Sequence, residues 1–151
     1  MSDVPDYFFV QSAVIPYRER DGNVEILLIT SRKKRRWVIP KGVKEPELSD
    51  QVSAAQEALE EAGIEGQVSE RPIGRYEYEK WGGTCRVEVF TMVVEKVHEE
   101  WLESYRNREW VSIKQAARRV NEKQLKRLIR SVPEFLEAQV SSQSRLSVRN
   151  R

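Results

Sequence analysis

Residues 40–64 place a Pro/Gly loop directly before an Ala-rich helix that carries three clustered glutamates near its end. Glu57, Glu60 and Glu61 share one face of this helix, because residues three and four apart are neighbours on a helix surface. Alanines on the opposite side allow the helix to lie close against a sheet. Gly63 follows directly and favours the left-handed conformation that ends helices. The segment therefore predicts one buried face and one face of concentrated negative charge.

Three carboxylates at this spacing repel one another, and each pair costs about 0.2–0.5 kcal/mol on an isolated helix. The C-terminal end of a helix also disfavours anions. A divalent cation such as Mg²⁺ prefers carboxylate oxygens and would remove the repulsion. A solvated helix face is the commoner explanation of a Glu-x-x-Glu-Glu pattern. The choice between the two explanations depends on the surrounding sequence.

The spacing around the glutamates resembles the signature of the Nudix hydrolase family. Gly42 lies fifteen residues before Glu57, and Gly63 lies two residues after Glu61. Ile64 supplies the apolar residue that follows the last glycine. Glycines, glutamates and the loop-to-helix order agree together, and the resemblance extends over residues 8–136.

Two positions depart from the signature, since Leu48 stands where the family has Glu and Gln56 where it has Arg. In the family these two side chains contact each other and brace the metal-binding helix. Because both the Glu and the Arg are replaced, neither is left as a buried charge without its partner. Our hypothesis is that neutral packing replaced the brace and the metal site was retained. A degenerate, inactive Nudix domain is the alternative.

The resemblance implies an α/β fold, a Nudix-type α/β/α sandwich with a mixed β-sheet. It also implies a pyrophosphohydrolase that needs Mg²⁺, with Mn²⁺ as the alternative metal. By the same resemblance, Glu57, Glu61 and the backbone carbonyl of Lys41 are the expected metal ligands. Glu60 is the expected general base. Gly42 and Gly63 are expected to shape the motif.

Segments outside the motif resemble the diphosphoinositol-polyphosphate and diadenosine-polyphosphate branch of the family. Arginine forks and lysine point charges suit a dense polyphosphate. The residues of this chain that match phosphate-contacting positions of that branch are Ser31, Arg32, Arg86, Arg108 (or Arg106) and Lys123.

One departure shifts the expected substrate within this branch. The inositol-pyrophosphate members carry a basic cluster early in the first strand, where this chain has Val10 and Gln11. A dinucleoside polyphosphate or related small-molecule polyphosphate is therefore favoured. The alternatives are an inositol-pyrophosphate phosphohydrolase, an RNA 5′-end pyrophosphohydrolase and a catalytically weak nucleotide-binding module. The cations of residues 32–36 are typical of a solvated hairpin tip, and nucleic-acid binding is a second, less favoured explanation.

Composition limits the remaining possibilities. A length of 151 residues suits a single domain, and a net charge of +2 does not indicate a particular class of binding partner. A single cysteine and a single histidine exclude a disulfide framework and a multi-histidine metal site. Without a signal-peptide pattern or an apolar run of membrane-spanning length, the cytoplasm is the expected compartment. We expect a flexible N-terminus at 1–6, a Nudix domain at 7–140 and a disordered tail at 141–151.

Pattern and turn signals predict the order of the elements. Residues 7–17 form an expected first strand, and Val24–Thr30 is apolar enough to be buried on both faces. Residues 67–78 are expected to be extended. In Cys85–Val97 apolar and polar residues alternate, which predicts a strand. Helices are expected after Ser112, with a break near Pro133.

Overall fold

The computed structural model describes residues 4–149, which form an eight-stranded mixed sheet between helices. The strands are β1 (Val10–Arg20), β2 (Asn23–Thr30), β3 (Trp37–Val38), β4 (Lys41–Val43), β5 (Ile64–Val68), β6 (Gly74–Lys80), β7 (Gly83–Val97) and β8 (Arg108–Ser112). The helices are α1 (Asp50–Glu57), α2 (Ile113–Arg119), α3 (Lys123–Arg130) and α4 (Val132–Arg149). A 3-10 turn (Asp6–Phe9) precedes β1, and a π-helical segment (Ala58–Ala62) continues α1.

The sheet is organised around β1, whose two edges contact three other strands. Strand β7 runs parallel to β1 along one edge. On the other edge, β4 pairs with the beginning of β1 and β2 pairs with its end, both antiparallel. Ser12 of β1 lies opposite Gly42 of β4. The start of β1 therefore determines where the loop before α1 lies.

Two separate hydrophobic cores cover the two faces of the sheet. In β2, Ile26 and Leu28 belong to the core beneath α2 and α3, whereas Leu27 and Ile29 belong to the core beneath α1. Alternate side chains of a strand point to opposite faces, so a strand buried on both faces reads as a continuous apolar run. The predicted α/β/α sandwich with a mixed sheet is confirmed.

The helical unit that carries the glutamates ends at Gly63, as the sequence predicts. The Ser49 hydroxyl accepts a hydrogen bond from the backbone N–H of Val52 and caps the helix. Gly63 ends the π-helical segment with a φ of 65°. A π-helical turn within a helix commonly marks a functional site. The alanines that pack this unit against the sheet are Ala54, Ala58 and Ala62.

The first strand starts later than expected. Residues 7–9 belong to the 3-10 turn instead of β1. Phe8 and Phe9 both pack against Trp81 of the turn between β6 and β7, with ring centroids 5.5 and 6.0 Å apart. This tertiary contact outweighs the strand propensity of the aromatic residues.

One other segment differs from the expectation. The extended stretch 67–78 is divided between β5 and β6 by residues 69–73, which contain Pro72. The backbone of α4 is helical as far as Arg149, and the disordered tail expected at 141–151 stays a prediction. Residues 1–3, 150 and 151 lie outside the described residues, and the domain limits 7–140 stay a prediction. No helix within residues 4–149 has the length and apolarity needed to span a membrane.

The end of the glutamate-bearing helix depends on glycine at position 63. A Cβ there would lie 2.7 Å from Cβ and Cγ of Trp101, and the positive φ would be strained as well. We expect Gly63→Ala to lower the free energy of unfolding by about 3 kcal/mol or more. Urea unfolding measures this loss.

Gly82→Ala is the matched control. Gly82 has a φ of 73°, and nothing lies within 4 Å of the Cβ that alanine would add. This variant should lower the free energy of unfolding only by the cost of placing alanine at a positive φ, about 1–2 kcal/mol. Equal losses in the two variants would contradict the proposed clash with Trp101.

Candidate active site

A cleft of about 930 Å³ opens where the β4 loop, the end of α1 and the β6–β7 turn meet. Acidic side chains line one part of it and basic side chains another. The lining residues are Gln11, Ser31, Arg32, Lys33, Arg35, Arg36, Val38, Ile39, Lys41, Gly42, Val43, Glu57, Glu60, Glu61, Tyr78, Lys80, Trp81, Glu103 and Arg106.

Glu57, the last residue of α1, lies directly against the backbone of β4. A side chain at position 42 would overlap the Glu57 carboxyl group, so Gly42 is required for this approach. The nearby Glu61 carboxylate raises the pKa of the Glu57 carboxyl group. The two glycine positions of the motif therefore act differently, since Gly42 admits a carboxylate and Gly63 ends a helix.

Glu61 is held from two sides. Its Oε1 accepts a hydrogen bond of 3.1 Å from the backbone N–H of Lys41. Its Oε2 lies 3.9 Å from Nη2 of Arg106. The Glu61 side chain is only 13% exposed, so this carboxylate has exchanged most of its water for protein partners.

The environment makes both carboxylates harder to ionise. Burial, reinforced by the charges of Glu61 and Glu60, raises the pKa of Glu57 to about 8. Burial also raises the pKa of Glu61, which stays at about 7 despite the opposing effects of the Arg106 charge and the hydrogen bond from Lys41. Two partly buried carboxylates that repel each other form a site where a cation would be stabilised.

Glu57, Glu61 and the carbonyl oxygen of Lys41 fit a hard divalent cation by their chemistry. Mg²⁺ is commonly bound by one or two carboxylates together with substrate phosphates and water. Within residues 4–149, no group of three or more His, Cys, Asp or Glu side chains is arranged to hold a metal by itself. The donor set is thus a two-carboxylate set, which matches a metal shared with a phosphate substrate.

Glu60 differs from the two buried carboxylates. Its Oε1 accepts a hydrogen bond of 3.2 Å from Nε2 of Gln56, on the exposed side of the helix. Gln56 is one of the two departures from the family signature, so a neutral amide here orients a glutamate of the cleft. The other departure, Leu48, is half-buried in the loop before α1, where its N–H donates to the carbonyl of Glu45.

A hydrogen-bonded chain of three side chains lines another part of the cleft. Nζ of Lys41 donates to the Tyr78 hydroxyl at 2.9 Å, and this hydroxyl donates to Oε1 of Gln11 at 2.7 Å. Burial lowers the pKa of Lys41, and the nearby charge of Lys80 lowers it further. The Lys41 ammonium is therefore positioned by Tyr78 and has no bond to the carboxylates among the described contacts.

Ser31 and Arg32, both expected to contact substrate, line the cleft. The Ser31 hydroxyl accepts hydrogen bonds from the backbone N–H groups of Arg35 and Arg36, at 3.2 and 3.3 Å. It therefore closes the loop between β2 and β3, and its own proton remains free to be donated.

Three other expected substrate contacts do not line this cleft. The Arg108 guanidinium donates to the carbonyls of Ala62 and His98 and lies 3.7 Å from the ring centroid of Trp101. Arg86 is 70% exposed and faces Glu77 at 3.6 Å. Lys123 is exposed at the start of α3. Arg108 thus stabilises the end of the helix that carries the glutamates.

Of the two alternatives, Arg108 and Arg106, it is Arg106 that lines the cleft. Its guanidinium is 7% exposed and donates to Oε1 of Glu103 at 2.8 Å and to the carbonyl of Thr30 at 3.0 Å. The two arginines lie two residues apart and carry the same charge, so no local sequence pattern shows which of them lines the cleft. Their different contacts follow from the position of Trp101.

A family model described as the NUDIX domain matches residues 9–132. Nudix hydrolase 21, chloroplastic, of Arabidopsis thaliana is 36% identical over 109 residues, or 68% of this chain and 54% of that protein. Diphosphoinositol polyphosphate phosphohydrolase 3-alpha of Mus musculus is 32% identical over 115 residues, or 74% of this chain and 69% of that protein. The chain thus spans about half the length of the Arabidopsis relative.

Solved structures agree with the fold. The crystal structure of C. elegans Ap4A hydrolase superposes with a TM-score of 0.71 at 23% identity, over 84% of this chain and 97% of that one. At this identity the likeness concerns the fold alone. The family match spans most of the chain and includes the glycines and glutamates of the cleft. This chain belongs to the Nudix family.

Proposed function

We propose that the protein is a metal-dependent hydrolase that cleaves a phosphoanhydride bond in a nucleoside diphosphate linked to another moiety. A dinucleoside polyphosphate is the favoured substrate. The observation that carries the proposal is the mutually repelling pair Glu57 and Glu61, held in one cleft with a group of cations. Such a site favours a divalent cation and a phosphate-rich ligand together.

Glu57, Glu61 and the Lys41 carbonyl would hold the cation, with Mg²⁺ favoured and Mn²⁺ as the alternative. A bound divalent cation supplies a lower pKa for coordinated water and charge compensation for phosphate oxygens. The protein's own contribution is to limit how closely the neighbouring cations pair with the two carboxylates. The Arg106 guanidinium is engaged by Glu103 and Thr30, and it approaches Glu61 only to 3.9 Å.

Glu60 is the proposed general base. In the reaction the water oxygen forms a bond to phosphorus, and the bond from phosphorus to the leaving phosphate oxygen breaks. Glu60 accepts the proton that water loses, and the hydrogen bond from Gln56 orients its carboxylate. Because Glu60 lies on the same helix as Glu57 and Glu61, one rigid element would position both the base and the metal ligands.

The cations of the cleft are proposed to bind the phosphates of the substrate. Arg32 and Ser31 line the cleft from the β2–β3 loop, and Lys41, which donates to the Tyr78 hydroxyl, lines it as well. An ammonium directed by a hydrogen bond and a guanidinium provide the two kinds of contact that a polyphosphate uses. Arg86, Arg108 and Lys123 stay predictions from resemblance.

The neutral part of the cleft supports a nucleotide substrate. Gln11 lies in the cleft and binds Tyr78, at the place where the inositol-pyrophosphate members have a basic cluster. The relatives include proteins named for diphosphoinositol polyphosphate and for Ap4A. With a neutral glutamine in place of that basic cluster, this part of the cleft suits a substrate of lower negative charge density, and a dinucleoside polyphosphate is such a substrate. The expected cytoplasmic location stays a prediction, because relatives include chloroplastic and mitochondrial proteins.

In the absence of metal, stability should depend on pH through Glu57 and Glu61. Both have pKa values above their ordinary 4.5, so the folded protein binds these protons more tightly than the unfolded chain. Lowering the pH from about 9 to about 6 in chelator should therefore raise the free energy of unfolding. We expect a gain of about 1–2 kcal/mol, because partial exposure screens the repulsion. Urea titrations at each pH measure it.

Glu57→Gln removes one partner of the repelling pair. At about pH 8 in chelator this variant should be more stable than the wild type, and Mg²⁺ should stabilise only the wild type. Glu47→Gln, at an exposed glutamate of the loop, is the control and should behave as the wild type. A wild-type stability that responds to neither pH nor Mg²⁺ would contradict the metal site.

Hydrolysis should depend on Glu60 and Glu57 in different ways. With Mg²⁺ and diadenosine polyphosphates, inositol pyrophosphates, ADP-ribose and nucleoside triphosphates as a panel, we expect release of phosphate or nucleotide to be fastest from the diadenosine polyphosphates. Glu60→Gln should lower kcat about 10²–10⁴-fold with unchanged Mg²⁺ binding, because only the proton acceptor is lost. Glu57→Gln should lower both Mg²⁺ affinity and kcat. Glu47→Gln again serves as the control. Metal binding without turnover of any panel member would indicate the binding-module alternative.

A further inference from the structure

Two basic segments that lie far apart in the chain form one surface beside the cleft. The β2–β3 loop, residues 32–36, contains five consecutive cations. Its last residue, Arg36, pairs with Glu122 at the start of α3 at 3.4 Å. The first turn of α3 also contacts β6, where Oε1 of Gln124 accepts a hydrogen bond of 3.0 Å from the N–H of Glu77. The start of α3 therefore lies at the rim of the cleft, between the β2–β3 loop and β6.

Helix α3 continues this positive charge away from the cleft. Lys123, Arg127 and Arg130 follow the spacing i, i+4 and i+7, which places them on one face of the helix. All three are exposed, and none forms an ion pair with another described residue. The stripe extends about 10 Å along the helix. We call residues 32–36 with Lys123, Arg127 and Arg130 the basic surface.

The charge of the whole chain is divided unevenly. Residues 32–36 and 113–131 together contain 12 of the 26 basic residues and one of the 24 acidic residues. The remainder therefore has 14 basic and 23 acidic residues and is clearly negative. A net charge of +2 conceals this segregation. Solvated helix faces usually mix both signs, whereas a one-signed surface attracts a polyanion.

We propose that the basic surface binds the phosphate backbone of a single-stranded nucleic acid whose terminal phosphates enter the cleft. A strand is a linear series of anions, and the surface is a linear series of cations that begins at the cleft rim. A lipid bilayer presents its charge as a plane, which cannot follow the path from the cleft onto α3. The proposal rests on the proposed function only in placing the end of the strand in the cleft.

The test measures binding of 5′-phosphorylated, 3′-labelled RNA to the full chain by fluorescence anisotropy in chelator, so that no hydrolysis occurs. An oligomer of about 12 nucleotides is compared with a dinucleotide, because only the longer strand reaches α3. We expect Arg127→Gln combined with Arg130→Gln to weaken binding of the oligomer about tenfold and to leave the dinucleotide unaffected. The slope of log affinity against log salt should become smaller by about 1.4, which corresponds to two lost phosphate contacts.

The matched control is Arg20→Gln combined with Lys96→Gln. Both residues are exposed, and they end β1 and β7 on the side of the sheet away from Gly42. This variant removes the same charge, so equal weakening in the two variants would overturn the proposal. Binding of anionic lipid vesicles that depends on Arg127 and Arg130, without such dependence for RNA, would overturn it as well. Hydrolysis of diadenosine polyphosphate is measured separately with Mg²⁺, so its failure would affect the proposed function and leave the RNA result unchanged.

Discussion

The contact between the Glu57 carboxyl group and the backbone of Gly42 determines much of the rest of the structure. It requires β4 to lie at one register on β1, where Gly42 is opposite Ser12. It also requires α1 to lie close to the sheet, which the buried Ala54 and Ala58 allow. A larger residue at any of these positions would move the carboxylate away from the loop. The small residues therefore hold a charge where its burial is unfavourable.

Nearby positive groups lower the free-energy cost of burying the Glu61 carboxylate. The backbone N–H of Lys41 and the guanidinium of Arg106 both favour the ionised form of Glu61, whereas burial and Glu103 oppose it. Arg106 is itself committed to Glu103 at 2.8 Å, and its 3.9 Å approach to Glu61 is longer than a direct hydrogen bond. A closer arginine would neutralise Glu61 and compete with a metal. The site thus retains a partly compensated negative charge.

Local patterns were sufficient to predict the features that depend on neighbours in the chain. The common face of the glutamates and the helix end at Gly63 follow from helical geometry and from the conformational freedom of glycine. The burial of β2 on both faces follows from its apolar run. Pairwise contacts between distant residues were not predictable in the same way.

The chain Lys41–Tyr78–Gln11 illustrates why, since its members come from three strands and no spacing relates them. The contacts of Arg106 and Arg108 were not predictable either, although these residues are close in the sequence. Two residues apart, they differ because Trp101 lies beneath one of them and Glu103 faces the other. Such assignments depend on how a loop packs, and a single sequence contains no signal for that packing.

Separation of charge explains how one small domain can hold both a cation site and a polyanion site. Basic side chains placed among the glutamates would form ion pairs with them, and each pair would remove a metal ligand and a phosphate contact together. The structure limits this pairing: Arg106 is engaged by Glu103 and approaches Glu61 only to 3.9 Å, the ammonium of Lys41 is directed to Tyr78, and Arg36 pairs with Glu122. Within residues 4–149, the cations of the basic surface other than Arg36 form no ion pair. A ligand that carries phosphate to the glutamates would bring these cations and the carboxylates together, so the placement of the cations and the repulsion between Glu57 and Glu61 favour the same ligand.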